Sequence, residues 1–152
     1  MLRRLCPLTE RSNGLALFVL LAVLSLAAAS PPAQAQDESY QLSTHVLDIN
    51  LGEPAAGVPV LLEQLSEDAG TWREIARDTT AESGRINSFL EESRDNAGIY
   101  RLTFFTKGYF ERQDVQSFFP FVEVAFEIEE GAGHYHVPIT LSPYGYSTYR
   151  GS

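Results

Sequence analysis

Cysteine is almost absent from this chain of 152 residues: the single one, Cys6, lies near the N-terminus. Basic residues are scarce as well, with eleven Lys and Arg against twenty Asp and Glu. No phosphate-binding loop, G-x-G-x-x-G turn or H-E-x-x-H helix occurs, so nucleotide binding and the commonest zinc hydrolase chemistry have no motif to rest on. A net charge of −9 opposes nucleic acid and anionic lipid. The longest apolar run, residues 15–29, is fifteen residues long, short of the ~20 needed to cross a bilayer as a helix.

That run has the flanks of a secretory signal. Arg3, Arg4 and Arg11 make a basic start, and Ala33-Gln34-Ala35 is a small-residue cleavage site, so the expectation is a signal peptide over 1–35 rather than an uncleaved anchor. Cys6 precedes the apolar run, which is the wrong place for a lipidated cysteine, and would leave with the peptide. The expected mature domain is 36–152, exported and periplasmic. Losing three arginines and one glutamate leaves it eight basic and nineteen acidic residues, a net charge of −11, and no cysteine. A disulfide-free domain of this size depends on its core and on subunit contacts, which makes oligomerisation a reasonable expectation.

Within that domain β-forming segments alternate with turns. Strands are expected at 42–49, 58–62, 72–80, 99–106, 121–128, 135–141 and 144–150. In 121–128 the alternation is clearest, with Val122, Val124, Phe126 and Ile128 on one face and Glu123 and Glu127 on the other. The best helix candidate is a short one within 107–116, starting near Gly108 and limited by Pro120. Pro138 inside the penultimate strand predicts an irregular or edge position. Seven or eight short strands with at most one helix describe an all-β, two-sheet β-sandwich.

Few residues could carry chemistry. His45 lies in the first strand, and His134 and His136 flank Tyr135, so a regular strand would point both to one side. Either pair could act at a site or simply sit half-buried with satisfied hydrogen bonds; a His-Tyr-His pair without a third local ligand is a poor zinc site. Arg85 follows Ser83-Gly84 in a turn, from which it could reach a cleft or solvent. Tyr144 and Tyr146 share a strand face and Tyr149 breaks the period, a pattern also compatible with aromatics filling a core.

The ending Tyr149-Arg150-Gly151-Ser152 resembles the C-terminal signature of the 5-hydroxyisourate hydrolases, the transthyretin-related proteins. Three more stretches resemble that family in the same order. They are Thr44-His45-Val46-Leu47-Asp48 with the Gly52-Glu53-Pro54 to Val60 block, the Ser83-Gly84-Arg85 turn, and His134-Tyr135-His136-Val137-Pro138 with Leu141-Ser142-Pro143. Ser83 and Ile139-Thr140 depart from the usual residues without touching these positions. The resemblance implies a transthyretin-like sandwich of about eight strands with one short helix, assembled as a homotetramer, a dimer of dimers. It implies hydrolytic opening of the six-membered ring of 5-hydroxyisourate without cofactor or metal. By motif it assigns catalysis to His45, Arg85, His136 and Ser152, with Tyr149 and Arg150 binding substrate. His134 is the weaker histidine, and its loss is expected to cost little. The alternative within the same fold is a transthyretin-like small-molecule carrier.

Overall fold

The computed structural model describes residues 39–151. The expected signal peptide over 1–35 and Ser152 lie outside them. Ten strand segments and one helix run β1 (Tyr40–Asp48), β2 (Glu53–Pro54), β3 (Pro59–Ser66), β4 (Thr71–Thr79), β5 (Arg85–Glu91), β6 (Gly98–Phe104), α1 (Lys107–Glu111), β7 (Val122–Ile128), β8 (Tyr135–His136), β9 (Ile139–Ser142) and β10 (Gly145–Thr148). They form two sheets. One has the order β4-β3-β6-β7; the other is organised around β1, with β9 and β10 beyond one edge, β2 on the other, and β5 and β8 also paired to β1.

Period-2 patterning explains the sandwich. Leu42, Val46 and Ile139 of one sheet and Val60, Leu62, Leu102, Phe104, Val122 and Ile128 of the other are all but fully buried, while Glu123 and Glu127 stay outside. Each such aliphatic or aromatic side chain contributes roughly 1.5–3 kcal/mol when taken out of water. On the outer face of the four-stranded sheet one cross-strand cluster replaces a hydrophobic cover. Arg101 on β6 bonds Glu63 on β3 at 2.6 Å and Glu123 on β7 at 3.2 Å, and its guanidinium lies 4.5 Å from the Trp72 ring on β4.

The helix lies within the expected stretch but ends early. Asp114 takes φ 54°, and the Val115 and Asp114 amides donate back to Phe110 and Glu111. The C-cap is Arg112, and the left-handed turn at Asp114 just beyond it ends the helical run well before Pro120. The penultimate strand is split where Pro138 was expected to disturb it. β8 and β9 both pair parallel to β1 on either side of the break. Proline brings no N–H to the ladder, and the local carbonyls find side-chain donors: Thr44 donates to Val137 at 2.7 Å and Thr148 to Pro138 at 2.9 Å. The last strand does not fill the core. Tyr144, Tyr146 and Tyr149 are all exposed.

Candidate active site

β1 carries the site because it holds two registers at once. Its core face presents Leu42, Thr44 and Val46, so Ser43 and His45 point to the outer face of the sheet. On one edge His45 pairs directly with Arg85 of β5; on the other Ser43 pairs with His136 of β8. In β8 Tyr135 turns into the core at 5% exposure, which leaves His134 and His136 on the outer side with Ser43. The result is a cleft of about 570 Å³ lined by Ser43, His45, Arg85, Asn87, His134, His136, Tyr149 and Gly151.

Of the sequence candidates, His45, Arg85, His136 and Tyr149 meet here, and so does the set-aside His134. Arg150 does not. Its guanidinium lies 4.8 Å from the ring of Tyr135, and it lines a different, apolar depression with Val124, Phe126 and Val137. Both residues lie just past the end of β10, and Tyr149 borders the cleft and this depression alike; a substrate-binding role for Arg150 stands as the expectation that the motif gives. The role expected of Ser152 falls outside the described residues.

Burial holds the imidazoles of His45 and His136 below the usual histidine range, and the Arg85 guanidinium pushes both further in that direction. For His136 the neighbouring His134 and His45 add to the effect, opposed by a backbone hydrogen bond to Ser43. A backbone bond from Ser83 opposes it for His45. Both rings are therefore neutral near pH 7, with a lone pair to offer. His45 Nε2 is buried and lacks a hydrogen-bond partner among the described residues. Leaving such an atom unmatched costs about 1–3 kcal/mol, and functional sites are where such groups persist. Among the described residues no carboxylate pairs with Arg85, so its planar donors are available to a ligand. Nor is there, among those residues, a group of three or more His, Cys, Asp and Glu placed to hold a metal ion.

Two glycines set the rings. Gly84, at φ 71°, passes so close that an added Cβ would meet the Val46 carbonyl at 2.6 Å and the His45 ring at 3.1 Å. Gly151 donates its N–H to the His136 carbonyl at 2.8 Å, and a Cβ there would stand 2.5 Å from His136 Cδ2. The Gly151→Ala variant is thus expected to rotate the His136 ring out of place. A misplacement near 1 Å costs on the order of 10²-fold in rate. Turnover measured beside a thermal melt checks this: the melt should stay near the parent's while the rate falls.

Ser43 and Asn87 were not singled out from sequence. Asn87 follows Arg85 by two and shares its face, a signal that becomes readable only once β5 is recognised as a strand.

Fold and cleft together define a transthyretin-like β-sandwich with a polar, histidine-lined site on the outer face of one sheet. The chain belongs to the HIUase/Transthyretin family, whose sequence model matches residues 42–151. It is 40% identical to 5-hydroxyisourate hydrolase of Salmonella typhimurium over 135 residues, 89% of this chain and 98% of the relative. With 5-hydroxyisourate hydrolase of Mus musculus the identity is 41% over 115 residues, covering 76% and 98% of the two chains. Among solved structures it resembles sea bream transthyretin in complex with thyroxine. There the TM-score is 0.68 and the identity 35%, with 72% of this chain and 93% of that one covered.

Proposed function

We propose that this protein is a hydrolase that opens the six-membered ring of 5-hydroxyisourate, the product of urate oxidation. The observation that carries this reading is two histidines with lowered pKa and an arginine that has no carboxylate partner among the described residues, converging on one polar cleft. A cleft of about 570 Å³ falls in the range of about 300–1,000 Å³ usual for small-molecule sites. Ring opening requires a water deprotonated as it attacks a cyclic amide carbonyl, and a neutral imidazole accepts that proton. Arg85 offers its planar donors to the carbonyl oxygen as it gains charge. Tyr149 borders the cleft and contacts substrate. The polar lining argues against a carrier for an apolar hormone. Purified protein added to freshly oxidised urate should accelerate the ultraviolet decay of 5-hydroxyisourate; a decay no faster than the spontaneous one would remove the proposal.

The working unit in this reading is a homotetramer. Among the described residues no further strand lies beyond the sheet edges β7 and β10. Next to β10 the rings of Phe119 and Tyr146 meet at 5.3 Å, while Phe118 and Tyr144 are 72% and 71% exposed. Open edges and grouped aromatics are features that subunit contacts cover. Light scattering is expected to give about four times the subunit mass, with a monomeric, fully active species counting against the assembly. Export with cleavage after Ala35 belongs to the same proposal. Protein from an extracytoplasmic fraction should have an intact mass that begins at Gln36.

A further inference from the structure

The hydroxyl of Ser43 lies between two rings, 2.9 Å from Nδ1 of His136 and 3.0 Å from Nε2 of His134. Ser43 itself is only 5% exposed, His136 is half-buried, and His134 is exposed. A hydroxyl has one proton, so it donates to one ring and accepts from the other. The two neutral arrangements differ only in the direction in which the protons lie. In one, His136 carries its proton on Nδ1 and offers Nε2 as a base. In the other, His136 carries it on Nε2 and offers an acid. Ser43 and two histidines more than ninety residues further along the chain thus share two protons along one line that begins in the cleft and ends in solvent.

We propose that Ser43 and His134 form a proton relay behind His136, setting its tautomer and carrying its proton to the protein surface. The proposal rests on the hydrolytic reading above, with His136 as the group that meets the attacking water. As the water oxygen bonds to the amide carbonyl carbon, its proton passes to Nε2 of His136. The Nδ1 proton moves to Ser43 Oγ, and the Ser43 proton moves to Nε2 of His134. The positive charge then resides on the exposed ring, away from Arg85. When the carbon–nitrogen bond breaks, the leaving nitrogen takes a proton back along the same line. The new carboxylic acid loses its own proton to solvent, so one water yields one carboxylate, one N–H and one released proton. Ser43 and His134 are positioning residues in this scheme, since neither needs to touch substrate. The other titratable groups facing His134 and His136 across the cleft are His45 from β1, Arg85 from β5 and Tyr149. Among the described residues that line the cleft none is a carboxylate. In this scheme His134 has a role that depends on pH and buffer, against the expectation that its loss costs little.

The test is steady-state kinetics of the full chain on fresh 5-hydroxyisourate, across pH and buffer concentration, for Ser43→Ala, Ser43→Thr and His134→Gln. Ser43→Ala and His134→Gln should lower kcat about tenfold or more, within the range by which acid–base assistance acts. KM should change little, Ser43→Thr should keep most of the rate, and added imidazole should restore part of what His134→Gln loses. The relay is overturned if either disruptive variant keeps its rate at every pH, if the loss appears in KM, or if threonine is as poor as alanine. A second arm needs no turnover. Ring-nitrogen NMR should show His134 and His136 titrating as a coupled pair in the parent and independently in Ser43→Ala; independent titration in the parent overturns the relay. If the parent fails to consume 5-hydroxyisourate, the hydrolytic reading falls, while the ring-nitrogen titration still decides whether the line of protons exists.

Discussion

Replacing His45 or His136 by alanine is expected to slow the opening of 5-hydroxyisourate by about 10²–10⁴-fold, the usual value of a positioned acid or base. Neither ring holds up the fold. Both lie on the outer face of the sheet, and the core beneath them is made by Leu42, Val46, Tyr135 and Ile139. Circular dichroism and sizing should therefore remain those of the parent. The double variant should lose less than the product of the two singles, because both rings serve one transition state. Rates near the parent's in His45→Ala would end the catalytic assignment and favour a carrier.

The second large effect concerns Arg85, which acts twice. As a donor to the developing oxyanion its loss should cost about 2.7–4 kcal/mol, or 10²–10³-fold in kcat. As a cation beside two imidazoles it also holds both below the ordinary value of 6.5. A histidine acts as a base only when neutral, so activity falls as pH drops through its pKa. Removing the positive charge lets both pKa values rise. The acid limb of kcat/KM in Arg85→Met should consequently move to higher pH, toward 6.5, on top of the drop in rate. Arg85→Lys keeps the charge but not the planar donors, so it should retain the parent's limb while losing much of the rate. A limb that stays in place when the charge is removed would show that Arg85 does not set the protonation of the site.

The sandwich was readable from sequence wherever a strand buries one face without interruption. β7 is the clear case, since its apolar residues recur every second position and its glutamates fill the gaps. β5 was missed for a physical reason. Its buried residues Ile86 and Phe89 are three apart, because the pairing with β1 shifts between Leu42 and Thr44 and an extra residue of β5 bulges outward. Leu90 at φ 59° adds to the irregularity. The site was legible through its histidine and arginine motifs. Ser43 and Asn87 were not, because what they touch depends on that bulge and on a parallel register with a strand far along the chain.

The pairing of β1 with β8 and β9 also governs when the molecule can become itself. A chain emerging from its N-terminus delivers β1 first and the strands that flank one of its edges last, after the entire second sheet. Until then that edge has open N–H and C=O groups and the cleft lacks one of its walls. Contacts between such distant segments are the kind that slow folding to the millisecond-to-second range and leave partly made sheets prone to wrong pairing. Partial chains of this protein are consequently expected to be inert and sticky, and any synthesis or transport that keeps the segment unpaired until β9 arrives serves the fold.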